Sequence, residues 1–337
     1  MILAKSPKVL CTPNNLADKR MLFQRSQGSF YNTAIDNRGK FWSYIDHMRK
    51  GLILFLAFSP LMGEAIEPAA LKQTILAKQN ALQMASSERE KSQIFYELAR
   101  AYCQDQEIEQ AFCHFLEALK RADKLPPCVM SESEKNIYES ALDEYLANAG
   151  TDPGRAAQEL LDHYGEKAEN HSEYLYLNFL IATAYANLGK YDAFFERFFR
   201  AYPYLSDTFL AYKTQGILYL RLSQRSACMD ERQAFQREAF ECLTSALERS
   251  PQDASLYKVL VFLAKDEEND AQVRVYLKGI VANKTPVPRG DIYLYVREAV
   301  ALGEWGIGQA IIDQARALYD YSRAVSAAQE YLNQNKG

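Results

Sequence analysis

The sequence predicts an all-α protein, a superhelical solenoid of antiparallel helix pairs, over residues 66–337 of a 337-residue chain. Three observations predict this class. Apolar residues recur with the period of a helix throughout the region, no segment combines sustained apolar/polar alternation with hairpin turns, and small and aromatic residues recur 34 residues apart. Since a single short helix pair cannot bury its apolar face alone, such pairs stack on one another.

Start and stop signals divide this region into short helices. Ser87 and Ser131 each precede a glutamate by three residues, which is the capping-box pattern. Further predicted starts are Asp152-Pro153, Ser206 and Asp253, and predicted ends are Gly150, Gly165, Gly189 and Gly303. These signals predict helices near 68–86, 88–104, 106–123, 132–149, 153–164, 172–188, 190–201, 206–222, 230–249, 254–265, 270–283, 291–302, 305–320 and 322–335.

A 34-residue recurrence sets these helices in register with one another. Ala182 and Gly216 are 34 residues apart, and so are Tyr185 and Tyr219. Small residues at such positions let two helices approach closely, while aromatic residues fill the space beside them. A bundle of unrelated helices would also be amphipathic, but it gives no reason for a fixed recurrence.

Two stretches are longer than this period. Ala201 and Ala246 are 45 residues apart, 11 more than the period. We expect the extra residues near 223–233 to lengthen that helix pair and to form a protruding loop in which Cys228 is exposed. An irregular repeat with 15 extra residues is predicted over 125–170.

One stretch, Lys91–Lys124, carries a recognisable motif. It reads Phe95-x2-Leu98-Ala99-x2-Tyr102 followed by Ala111-x3-Phe115-x2-Ala118. This pattern resembles the tetratricopeptide repeat (TPR) family, in which each repeat is a helix–turn–helix of 34 residues. The clearest repeats are 91–124, 175–208, 209–253 and 289–322. Phe194 and Val273 stand where the family has Ala, so we expect altered helix crossing and an irregular superhelix.

The charge distribution excludes one class of partner. The formal net charge of the chain is −4. Residues 1–47 carry +4 and residues 48–65 carry +1, which leaves −9 on residues 66–337. An acidic surface repels nucleic acid and anionic membranes, so the expected partners are protein or peptide segments. The oligomeric state is left open.

Residues 48–65 have the layout of a secretory signal peptide. Met48-Arg49-Lys50 is a short basic start, Leu52–Met62 is an 11-residue apolar run, and Gly63-Glu64-Ala65 places small residues where a signal peptidase cleaves. We predict cleavage after Ala65 and export to the periplasm or beyond. The apolar run is too short for a comfortable membrane span.

The position of this segment, 47 residues inside the chain, has two explanations. Translation of the native protein could start at Met48, with residues 1–47 an upstream extension that is absent or disordered. Alternatively, residues 52–62 form a buried helix of a cytoplasmic protein.

The sequence offers no catalytic or cofactor motif, and we predict no enzymatic activity, no cofactor and no metal. Nucleophile-elbow, P-loop, HExxH and dinucleotide fingerprints are missing. A zinc site would have to use Cys103, Cys113, His114 and Cys128, which lack the closely spaced cysteine pair of structural zinc sites.

The resemblance also implies a concave groove lined by the first helix of each pair. On this register the side chains lining the groove, and so the candidate partner-binding residues, are Tyr96, Arg100, Phe179, Lys213, Lys258, Tyr293 and Arg297. Cys103, Thr183, Ile217 and Phe262 would lie beside them. The four cations suggest an acidic or carboxylate-ended partner segment; ordinary solvated helix residues are the alternative.

Two functions therefore stay open. The first is an exported, non-enzymatic scaffold or assembly factor that binds partner segments in its groove. The second is a cytoplasmic TPR adaptor or secretion chaperone. The two differ in whether residues 48–65 are cleaved from the native protein.

Overall fold

A computed structural model describes residues 68–149, 152–319 and 322–336, and burial is described for all of these except residues 68 and 146–149. These residues form fourteen α-helices and no strand. The helices are α1 Pro68–Met84, α2 Glu88–Gln104, α3 Ile108–Arg121, α4 Glu132–Ala149, α5 Pro153–Asn170, α6 Leu175–Asn187, α7 Tyr191–Leu205, α8 Phe209–Arg225, α9 Met229–Arg249, α10 Ala254–Asp266, α11 Asp270–Ala282, α12 Ile292–Ala301, α13 Trp305–Tyr319 and α14 Arg323–Asn335. The predicted all-α helical-repeat class is confirmed.

Consecutive helices pack in pairs. The pairs are α2–α3, α4–α5, α6–α7, α8–α9, α10–α11 and α12–α13, while α1 packs on α2 and α14 packs on α12 and α13. Two large clusters of buried side chains run through them, one from Ala99 to Ala239 and one from Leu243 to Leu332. The first cluster ends and the second begins within α9. The buried core therefore continues from one helix pair to the next, as in a stack of pairs.

Predicted capping signals form the expected hydrogen bonds. The hydroxyl of Ser87 accepts from the backbone N–H of Glu90 at 3.1 Å, and the carboxylate of Asp152 accepts from that of Arg155 at 3.0 Å. Gly189 and Gly303 follow α6 and α12 with φ of 72° and 73°, a conformation that glycine adopts without strain. The two bonds from Ser87 and Asp152 satisfy backbone N–H groups that the start of a helix leaves unpaired.

Four predicted boundaries are wrong. Helix α5 continues through Gly165 to Asn170, because this last turn buries Ala168 at 1% exposure and burial outweighs the weak helix propensity of glycine. Helix α7 likewise continues through Pro203 to Leu205. Thr208, not Ser206, caps α8. The predicted protruding loop is only three residues, 226–228, because the extra residues lengthen α8 and α9 themselves.

The predicted close approach at Gly216 is present. A Cβ added there would lie 2.6 Å from Cγ of Leu243 and 3.2 Å from the carbonyl oxygen of Ala239. Ala182, one period earlier, is fully buried. Small residues at this repeat position therefore sit where two helices touch.

The first helix pair departs from a linear order of repeats. Helices α2 and α3 pack against α7, which lies two pairs further along the chain, and α3 also packs against α8 of the following pair. The ring centroids of Phe115 and Phe194 are 5.3 Å apart, and Tyr96 stacks on Phe199 at 4.3 Å with an interplanar angle of 4°. Phe194, which replaces the small residue of the repeat pattern, thus packs against a distant pair.

Several sequence predictions fall outside the described residues. These are the upstream segment 1–47 and the signal peptide 48–65 with its cleavage after Ala65. Among the residues that are described, no helix is both long and apolar enough to span a bilayer.

Candidate functional site

The four cations predicted for the groove are paired with carboxylates of this chain. Arg100 donates two hydrogen bonds to the carboxylate of Asp192, at 2.7 and 3.0 Å. The Nζ of Lys213 lies 2.6 Å from Asp253, and that of Lys258 lies 2.7 Å from Asp291. Arg297 donates to its neighbour Glu298 at 2.7 Å.

Two of these pairs repeat one geometry. Lys213 and Lys258 each lie five residues after the N-cap of their own helix, and each reaches the N-cap aspartate of the next first helix. Burial raises the pKa of Asp253, but the Lys213 ammonium and hydrogen bonds from Ser255 outweigh it, so the net pKa is lowered. These lysines therefore join successive repeats and have a structural role that the sequence analysis missed.

The predicted aromatic groove residues differ in exposure. Phe179 is 1% exposed and its ring stacks on Phe198 at 4.2 Å, so its assignment to a partner-binding surface is wrong. Tyr96 is half-buried against Phe199. Tyr293 is 41% exposed, and its ring meets that of Tyr331 edge-on.

Three predicted groove residues meet in a cleft between α6 and α8, which we call the α6–α8 cleft. Thr183, Lys213 and Ile217 line it, together with Asn187, Leu218 and Arg221. Tyr145 of α4 closes one side, and its hydroxyl accepts a hydrogen bond from the Asn187 amide at 2.5 Å. The walls are mostly apolar, with a few polar groups, and the space between them is small, about 60 Å³.

Arg221 is the residue of this cleft that the sequence analysis missed. It is half-buried, and its Nη1 donates to the hydroxyl of Tyr191 at 3.3 Å. No carboxylate in the described part of the chain forms an ion pair with it, in contrast to Arg100, Lys213 and Lys258. Asn187 and Arg221 are 34 residues apart, so the repeat period, extended one turn beyond Ile217, could have identified both.

The candidate zinc residues do not form a metal site. No cluster of three or more histidine, cysteine or acidic side chains able to hold a metal ion occurs within the described ranges. Instead, His114 lies between the rings of Phe95 and Tyr102, with centroids at 5.8 and 5.0 Å. Burial lowers the pKa of His114 to about 4 and raises the pKa of Cys103 to about 12, so both are neutral at pH 7.

Cys228 is exposed, as predicted. Cys113 and Cys242 are half-buried, and burial raises the pKa of Cys242 to about 12. Cys228 is therefore the expected site of fastest alkylation.

Comparisons with known proteins find similarity to solved structures. No family model matches the chain, and no curated protein matches it. The crystal structure of a thermophilic TPR protein from Thermus thermophilus superposes with a TM-score of 0.42 at 11% identity, covering 60% of this chain and 99% of that one. Because the TM-score and the identity are both low, the assignment of a helical-repeat solenoid rests on the helix pairs and on the 34-residue recurrence of this chain.

Proposed function

We propose that this protein is an exported, non-enzymatic interaction scaffold or assembly factor that holds a segment of a partner protein. The α6–α8 cleft is the observation that carries the proposal, because it combines apolar walls with polar groups from successive first helices. Stacked helix pairs present such surfaces to extended or helical segments of other proteins. All four cations predicted for the groove pair with carboxylates of this chain, so the cleft is the more specific location for partner binding.

Export is part of this proposal and rests on the sequence of residues 48–65. The acidic character of residues 66–337 suits a protein whose partners are other proteins. The competing proposal is a cytoplasmic adaptor or secretion chaperone, with residues 52–62 forming a buried helix. Both proposals place partner binding at the α6–α8 cleft, and they differ in the cellular compartment of the protein.

N-terminal sequencing of the protein purified from its native cells separates the two. A chain that begins at Ile66 requires signal-peptide cleavage and supports export. A chain that retains residue 1 rejects export and leaves the cytoplasmic adaptor.

Filling the cleft tests the binding function. Ile217→Trp places a large ring between α6 and α8, and we expect partner capture from native extracts to be lost. Because Ile217 also packs against the buried core, the melting temperature of the variant is measured beside its capture, and a variant that stays folded gives the test. Leu318→Trp is the matched control, since Leu318 is 53% exposed on α13. Equal capture by the wild type and both variants would place partner binding elsewhere.

A further inference from the structure

We infer that this protein forms a reciprocal dimer, in which the α1–α3 module, residues 68–121, docks on helices α7–α9 of a second copy of the chain. The second copy returns its own module in the same way, and the linker 122–131 crosses between the two. None of the contacts that carry this dimer uses a residue that lines the α6–α8 cleft, so the dimer and the proposed function stand or fall separately.

The α1–α3 module is packed within itself but not on its neighbours in the chain. Helix α1 packs on α2 and α2 packs on α3, and Leu71, Ile75 and Leu98 form a small apolar cluster of their own. The described residues show the module packing on α7 and α8, and no comparable packing on α4 or α5. The linker is therefore its covalent tie to the other helices, and the docking contacts are the same whichever copy supplies α7–α9.

The apolar part of the docking contact is built from aromatic rings. Tyr96 of α2 stacks on Phe199 of α7, and Phe112 of α3 meets the ring of Tyr191 edge-on at 5.0 Å. Such ring pairs have preferred geometries and favour one arrangement of the two surfaces. A second copy presents the identical rings, so its docking forms the identical contact.

Three ion pairs accompany these rings. In each pair one residue lies on α2 or α3 and the other lies on α7, α8 or α9. The pairs are Arg100–Asp192, Glu109–Arg225 and Lys120–Glu238. The module thus contributes two cations and one anion, and a shifted docking would bring like charges together. The surface on α7–α9 therefore matches this module in charge, and a second copy of the chain is the partner that carries it.

The linker has the properties of a segment that crosses between copies. Its ten residues, 122–131, lie outside the helices. Leu125 donates its backbone N–H to the carbonyl oxygen of Pro203 on α7 at 2.8 Å, so the crossing segment is 126–130. Pro126 and Pro127 favour an extended chain and have no N–H to leave unpaired. Five extended residues span about 15 Å at about 3.1 Å per residue.

The apolar side chains of the linker favour the dimer over closure within one chain. Val129 is 96% exposed, and Leu125 is also exposed. In a reciprocal dimer the two crossing segments run beside each other about the two-fold axis, where their apolar side chains cover one another. The docking contacts are equal in both forms, so this added contact separates the dimer from the monomer.

Complementary charge reversals test the exchange. One tagged copy carries Arg100→Asp and one untagged copy carries Asp192→Arg, and the two are mixed in urea and refolded together. Each variant alone places like charges in contact, but a reciprocal dimer of the two forms only opposite-charge pairs. Native mass spectrometry should find heterodimers as more than about three quarters of all dimers, against about half for random association of tagged and untagged wild type.

The matched control reverses a pair inside one helix. Arg200→Glu and Glu196→Arg lie together on α7, so mixing the two variants cannot restore the pair, and heterodimers should stay at about half. The double variant Arg100→Asp with Asp192→Arg restores its pair within or between copies and should fold like the wild type. A wild type that light scattering finds monomeric at every concentration would overturn the dimer. A heterodimer share no higher than that of the control would overturn the exchange of the α1–α3 module.

Discussion

The ammonium group of Lys213 lies 2.6 Å from Oδ2 of Asp253, the residue that caps the next first helix. The side chains are 21% and 9% exposed, so the pair is largely shielded from water and salt. It joins α8 to α10, and Lys258 repeats the arrangement with Asp291 one pair later. Reversing the charges of both lysines would therefore destabilise the fold and could not isolate a binding effect.

Removing the charge of Asp253 should destabilise the protein. Asp253→Asn keeps an oxygen for the helix cap but leaves the largely buried Lys213 without its anion, which costs about 2–4 kcal/mol. Urea denaturation measures the loss. Glu196→Gln is the control, because the Arg200–Glu196 pair is about half exposed on both sides and should contribute less than about 1 kcal/mol. Equal losses of unfolding free energy in the two variants would contradict the structural role of the Lys213–Asp253 pair.

Gly216 tests the repeat register. Gly216→Ala should lower the free energy of unfolding by about 1–3 kcal/mol, because the new Cβ would overlap Leu243. Gly165→Ala is the matched control inside α5, where the nearest atom to a new Cβ is 4.0 Å away, and it should stabilise by about 0.5–1 kcal/mol. Thermal or urea unfolding of the two variants should shift in opposite directions.

His114 predicts a pH dependence of stability. Its pKa is about 4 in the fold, lowered by burial from an ordinary value of 6.5, so the unfolded chain binds a proton first as the pH falls. Stability should therefore decrease between about pH 6.5 and 4, by up to about 3 kcal/mol. His114→Phe keeps a ring between Phe95 and Tyr102 but cannot titrate. If stability depends on pH equally in the wild type and in His114→Phe over this range, His114 does not have the lowered pKa.

The contact between the first and third helix pairs predicts long-range coupling. A double-mutant cycle of Phe115→Leu and Phe194→Leu should give a coupling energy of about 0.5–1.5 kcal/mol, because the two rings pack edge-to-face. The control cycle combines Phe115→Leu with Tyr138→Leu, whose ring packs on Tyr176 in another pair. A strictly linear array would give no coupling between Phe115 and Phe194.

The helices and their register were predictable because capping and turn signals are local. Ser87, Asp152 and Gly189 act within a few residues of themselves. The departures come from contacts between distant residues: Arg100 pairs with Asp192, 92 residues away, because α2 packs on α7 and not in linear order. No local pattern encodes that choice.

The candidate site was predictable only in part, for the same reason. Thr183, Lys213 and Ile217 follow from the repeat register and do line the α6–α8 cleft. Whether a cation pairs with a carboxylate depends on helix packing, because Lys213 and Lys258 reach residues that cap the next first helix whereas Arg100 reaches Asp192 of α7. Arg221 therefore emerged from the structure.

The central claim is that the α6–α8 cleft holds the partner, and photo-crosslinking in native cells tests it most directly. A benzophenone amino acid at position 217 lies within the cleft, whereas one at position 275 replaces Val275, which is 56% exposed on α11. We predict a discrete crosslinked partner from position 217 and none from position 275. The same crosslinked species from both positions, or from position 275 alone, would contradict the claim.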